Sequence, residues 1–183
     1  MAEARTIVLV EGTSDQRALE ALARRLGRNL AAEGVAVVRM GGAQAIGGCL
    51  EQYGPRGLDL RLAGLCDAGE ERYVRRALER AGLGADLTRS GMEELGFYVC
   101  DVDLEDELTR SLGPGAVERV IEAEGETPSF RTFQKQPEKR GLTLEEQLRE
   151  FMWNRKIRYA TLLVEALDLT RVPRPLERLL AAV

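Results

Sequence analysis

Three apolar runs of this chain are each followed by acids. Thr6-Ile-Val-Leu-Val10 runs into Glu11-Gly12, the segment from Leu58 to Cys66 into Asp67, and Gly96-Phe-Tyr-Val-Cys100 into Asp101-Val102-Asp103. Asp15 follows Glu11 one helical turn on, so it can face the same edge. Carboxylates gathered at one sheet edge repel each other, and a hard divalent cation relieves that repulsion. Mg²⁺ or Mn²⁺ prefers such oxygen ligands. The chain has no histidine, which excludes an imidazole base, a Ser-His or Cys-His pair and a His-containing zinc site. It also has no Gly-x-x-x-x-Gly-Lys-[Ser/Thr] loop and no Gly-x-Gly-x-x-Gly fingerprint.

The elements that must position these acids follow from the periodicity. Thr6–Val10 is a continuous β-branched run, suited to a strand buried on both faces. Thr13-Ser-Asp-Gln16 has the form of a capping box, with Leu19, Leu22, Leu26 and Leu30 following at helical spacing until Gly34. Val35–Met40 is a second strand and Gln44–Tyr53 a weaker helix. Leu58–Cys66 is a third strand, Glu70–Ala81 a charged helix, Gly96–Cys100 a fourth strand, and Leu104, Leu108 and Leu112 mark another helix. This alternation predicts an α/β fold, a mostly parallel four-stranded sheet flanked by helices, over 1–113. Residues 114–183 read as a helical C-terminal extension packed on that core and completing the site. Its helices are expected at Ala116–Glu124, Leu144–Phe151, Arg155–Leu167 and Leu176–Ala182, with a loop or short turn from Gly125 to Arg140. In an open parallel sheet ligands bind beyond the carboxyl ends of the strands, which is where the acids fall.

The chain has 183 residues, 44% hydrophobic and 31% charged, the balance of a folded domain of ordinary size. Its three cysteines are too few and too scattered for a disulfide framework or a four-Cys metal site. No apolar stretch is long enough to span a bilayer. The start, Met1-Ala-Glu-Ala-Arg-Thr6, opens no signal peptide, so a cytoplasmic location is expected. The net charge of −4 is unevenly spread. Residues 1–130 carry 15 Arg/Lys against 23 Asp/Glu, whereas 131–158 carry 8 against 4 and include all three lysines.

Several of these motifs resemble a known family. Val8-Leu-Val-Glu11-Gly12-Thr-Ser-Asp15 is similar to the first motif of TOPRIM domains, a strand followed by Glu-Gly. Asp67 resembles the start of their Asp-x-Asp motif. Phe97-Tyr-Val-Cys-Asp-Val-Asp-Leu-Glu-Asp-Glu-Leu108 resembles the Asp-Leu-Glu segment of TOPRIM domains in the OLD (overcoming lysogenization defect) nucleases. Arg155-Lys156-Ile-Arg-Tyr-Ala160 is similar to the Lys-x-x-x-Ala helix start of the same family. The likeness spans roughly 5–170. It implies divalent-metal-dependent hydrolysis of DNA phosphodiester bonds, with Mg²⁺ or Mn²⁺ held by Glu11, Asp67, Asp103 and Glu105, supported by Asp15. Glu11 and Lys156 would be the catalytic pair, with Lys156 beside the scissile phosphate. The second Asp of Asp-x-Asp is Gly69 here. Either Glu70 replaces that ligand, or one metal site is weak or absent. The family places an ATPase module ahead of its TOPRIM domain, and this chain opens directly on the first strand. An ATPase partner in trans and a homo-oligomer are both compatible with the reading.

Plainer roles stand beside these. Asp15 also suits a helix-dipole acid, Asp67 an Asx turn and Asp103 an N-cap, which is compatible with metal binding. Lys156, with Ala160, Leu163 and Leu167, falls on the inward stripe of its helix and can snorkel. Lys135, Lys139, Arg140, Arg155 and Arg158 are candidates for phosphate contact, or else a solvated face. Trp153, beside Phe151, reads as core rather than as a base contact. The alternatives to a DNA nuclease are nucleotidyl transfer, RNA cleavage, or a non-catalytic module that binds metal or nucleic acid.

Overall fold

The computed structural model describes residues 4–183, so the reading of Met1-Ala-Glu lies outside the described residues. Thr6–Val10 (β1), Val35–Arg39 (β2), Arg61–Asp67 (β3) and Phe97–Cys100 (β4) form one parallel sheet in the order β2-β1-β3-β4. The helices are Thr13–Arg25 (α1), Ile46–Tyr53 (α2), Glu71–Arg80 (α3), Arg89–Glu94 (α4) and Leu104–Leu112 (α5). Then follow Pro114–Ala123 (α6), Thr127–Gln134 (α7), Leu144–Trp153 (α8), Lys156–Ala166 (α9) and Arg174–Ala182 (α10). The chain leaves β1 towards β2 on one side and returns to place β3 on the other. The crevice where strand order reverses therefore lies between the carboxyl ends of β1 and β3.

Each face of the sheet buries its own cluster, which is why β1 reads as unbroken apolar sequence. Val8, Val10, Leu65, Tyr98 and Cys100 pack under α1, α5 and the C-terminal helices, including Phe130, Tyr159 and Leu163. Ile7, Leu9, Cys66, Phe97 and Val99 pack under α2, α3 and Met92 of α4. Gly64 of β3 is a point of closest approach. A Cβ there would meet the Phe97 ring at 2.7 Å and the Leu9 carbonyl oxygen at 3.1 Å. Among the described residues no helix is long and apolar enough to cross a membrane.

Local expectations fail in instructive places. The first helix stops at Arg25, not Gly34, because Gly27 adopts a left-handed conformation (φ 76°) and turns the chain. The cap of α1 is Gly12 rather than Thr13, and Asp15 reaches back to accept a hydrogen bond from the Gly12 amide at 2.8 Å. The third strand begins at Arg61, since Leu58 is exposed and Asp59 sits at φ 51°. The stretch expected as a loop from Gly125 to Arg140 contains α7, with Pro128 in its first turn, where a missing amide hydrogen costs nothing. Its Phe130 is buried against Phe151, ring centroids 5.1 Å apart. Trp153 is not core. It lies about two residues round the helix from Phe151, on the opposite side, and is 59% exposed.

Candidate functional site

Glu11 follows β1 and Asp67 ends β3, so the two flank the crevice between adjacent central strands. The Glu11 carbonyl accepts from the amides of Gly41 and Gly42, which fastens the turn after β1 to the turn after β2. Asp103 caps α5, its Oδ1 accepting from the Asp106 amide at 2.8 Å, while its Oδ2 stands 3.9 Å from Lys156 Nζ. Capping therefore orients the side chain rather than competing with a site role. Glu105, in the first turn of α5, is buried. Its Oε2 lies 3.1 Å from Lys156 Nζ, and its Oε1 is buried without a hydrogen-bond partner.

The five sequence-predicted acids act on one another electrically. The Asp67 carboxyl is pushed up to about 7, first by burial, then by the charges of Asp15, Asp103, Glu11 and Glu105. Asp15 is pushed up to about 6. Burial dominates, the Gly12 amide opposes it, Glu105 and Glu11 add to it, and Lys156 subtracts. Burial also raises Glu105, against the opposing pull of Lys156. On Lys156 burial works against the charged form, but the charges of Glu105, Asp103 and Asp67 outweigh it and the ammonium is held more firmly protonated than usual. Every predicted acid thus shares one field, with Lys156 as its cationic member.

Two acids join the group beyond those expected as ligands. Glu70 is raised first by burial and then by the charges of Glu11 and Asp15. Its Oε2 is buried without a partner. Gly69 beside it faces open space. Glu107 is buried too, its Oε1 accepting from the Asp101 amide at 2.9 Å and from Arg110 at 2.9 Å. It braces the turn after β4. Its only sequence signal was membership of a run of first-turn acids, which ordinarily marks a solvated cluster. Asp101 itself is exposed and paired with Arg89 at 3.2 Å.

The donor set suits a hard divalent ion: carboxylate oxygens only, two of them buried and unsatisfied at Glu105 and Glu70. Among the described residues no group of three or more acids or cysteines is drawn tightly enough together to hold an ion as the side chains stand.

The predicted phosphate contacts are mostly occupied by acids. Arg158 pairs with Glu124 and Glu126, and Arg155 Nε lies 2.9 Å from Glu126 while its guanidinium covers the Phe151 ring. Lys139 pairs with Glu150, and Arg140 Nε donates to the Lys135 carbonyl at 3.1 Å.

Comparison with known proteins converges on one architecture. Residues 4–68, from before β1 through the end of β3, match the family model described as overcoming lysogenization defect protein-like, TOPRIM domain. The solved C-terminal region of the OLD protein of Burkholderia pseudomallei superposes with a TM-score of 0.75 at 24% identity, covering 97% of this chain and 96% of that one. The chain has an OLD-like TOPRIM fold. The solved C-terminal region of the Xanthomonas campestris pv. campestris OLD protein gives the same result, TM-score 0.74 at 22% identity over 97% of this chain and 91% of that one. No curated protein matches the chain. The OLD-like TOPRIM fold therefore extends beyond the region matched in sequence and takes in the C-terminal helices, including α9 with Lys156.

Proposed function

We propose that this chain is a divalent-metal-dependent nuclease that hydrolyses DNA phosphodiester bonds. The observation that carries the reading is the meeting of Glu11, Asp15, Asp67, Asp103 and Glu105 in one field at the strand-order reversal, with Lys156 among them. The OLD-like TOPRIM likeness supports it.

Glu11, Asp67, Asp103 and Glu105 would hold the ion, with Asp15 in support and Glu70 in place of the aspartate lost at Gly69. A bound Mg²⁺ or Mn²⁺ supplies an acidified water and a Lewis acid for phosphate oxygens. The remaining chemistry belongs to the chain. Lys156 presents a fixed positive charge where a non-bridging phosphate oxygen gathers charge. Glu105 keeps the ammonium charged and aimed. The Gly12 amide pins Asp15, so that carboxylate offers its remaining oxygen without swinging. With no histidine in the chain, proton removal falls to carboxylate or water.

Supercoiled plasmid incubated with Mg²⁺ or Mn²⁺ should be nicked, EDTA should stop the reaction, and Glu11→Ala and Lys156→Ala should each abolish it. Cleavage that survives Glu11→Ala overturns the assignment. A second reading, a TOPRIM-fold module that binds metal or nucleic acid without cutting, is favoured by one observation: Gly69 stands where the family motif has a metal-binding aspartate. Metal binding with no cleavage of DNA or RNA would select it.

A further inference from the structure

Trp153, the only tryptophan of the chain, sits at the corner between α8 and α9 with 59% of its surface in solvent. Ile157, one turn on, is also exposed. Large apolar side chains cost free energy in water, and core packing does not account for these two. Both line a groove of ≈ 970 Å³ whose other wall is the first turns of α1, with Thr13, Ser14 and Arg17. Lys156 belongs to the groove and to the acid cluster at once. Its Nζ is 4.1 Å from the centre of the indole ring and 3.1 Å from Glu105 Oε2. An aromatic surface and the candidate catalytic centre are therefore one side chain apart.

We infer that this groove seats a single-stranded nucleic-acid segment next to the scissile phosphate, with an unpaired base stacked on Trp153. The inference rests on the nuclease reading and adds to it the strand state of the substrate. Charge complementarity favours a polyanion: Arg17, Arg155, Lys156 and Arg158 on the lining outnumber Glu124 and Glu165, and Glu124 is paired with Arg158. Phosphates would run past Arg17 and Lys156 while the base meets the indole. A duplex keeps its base faces stacked within itself and cannot use Trp153 in this way. An unpaired strand can, and such stacking is sequence-tolerant because every base has a π-face.

The lone tryptophan reports on its own site. In EDTA, where no cleavage occurs, an oligothymidylate of about 12 nucleotides should quench the protein's fluorescence, and the matching duplex should not. Binding of a fluorescein-labelled strand, followed by anisotropy, should weaken about 5- to 100-fold in Trp153→Ala and recover largely in Trp153→Phe, the range expected for loss of one stacked base. Arg17→Glu should weaken it as well. Because both side chains are exposed, unchanged thermal melts will show that the variants are folded. Single-strand binding without quenching, unchanged affinity in Trp153→Ala, or equal affinity for duplex each overturns the inference. None of those results touches the nuclease reading, which falls only on its own plasmid assay. Conversely, quenching by a strand that is never cut would retain the groove and remove the chemistry.

Discussion

Lys156 Nζ stands 3.1 Å from Glu105 Oε2, an ion pair that joins the start of α9 to the first turn of α5. Glu105 is 3% exposed and its other oxygen has no partner, so Lys156 is its one ion-pair partner among the described residues. A buried carboxylate deprived of its cation is costly, and its protonation limits that cost.

Lys156→Met should therefore destabilise the protein by about 1–3 kcal/mol at pH 7.5, whereas the double variant with Glu105→Leu should recover most of the loss. Chemical denaturation of the two single variants and the double variant measures the coupling. If the single and double effects simply add, the pair contributes no interaction energy.

The acid cluster predicts an unusual dependence on pH. Asp15 and Asp67 have folded-state values raised to about 6 and about 7. A group whose value is raised on folding contributes stability that is full at low pH and lost as pH rises through the folded value. In EDTA, wild type should thus lose stability relative to Asp67→Asn between about pH 4 and pH 8, the variant being the more stable at the upper end. Thermal melts across that range give the comparison, and parallel curves would show that Asp67 does not titrate as described.

Divalent ion should reverse this loss in wild type. At an ion concentration of about 100 times its dissociation constant the gain is about 2.7 kcal/mol, or a melting shift of roughly 5–10 °C for a domain this size. The shift should be large at pH 8, small at pH 5, and strongly reduced in Glu11→Ala and Asp67→Asn. A shift equally large in both variants would place the ion elsewhere.

Gly69 faces open space and its backbone needs no glycine conformation, so Gly69→Asp should fold normally. With one more carboxylate beside the crevice, Mg²⁺ or Mn²⁺ should bind about tenfold tighter, equivalent to about 1.4 kcal/mol. Titration calorimetry reads this directly. Unchanged affinity would show that position 69 does not face the ion.

How much was legible in advance depended on the physics behind each signal. The strands and the acids following them were readable because a strand buried on both faces must be continuously apolar, and its end is where polarity returns. Sheet order was not readable, since nothing in a strand names its neighbour, yet that order is what places Glu11 beside Asp67. The α7 helix was hidden by Gly125, Pro128 and Pro137, which read as loop residues although proline is tolerated in a first turn. Glu70 was visible only as one choice for a lost ligand. Its place in the field of Glu11 depends on a turn from Asp67 to Glu70 that composition does not specify. Trp153 was misjudged because adjacency to Phe151 in sequence is not adjacency on a helix.

At Gly64 the sheet tolerates no side chain, because the Phe97 ring and the Leu9 carbonyl oxygen already fill the space. Gly64→Ala should cost about 1–3 kcal/mol and weaken divalent-ion binding by pushing β3 away from β1. Denaturant melts with and without Mn²⁺ test both parts.

Asp103 has each oxygen committed in a different direction, one to the Asp106 amide and one towards Lys156. Its torsions were frozen when the protein folded. An arriving cation would find this ligand already oriented, with less rotational entropy to surrender than a ligand still free to wander.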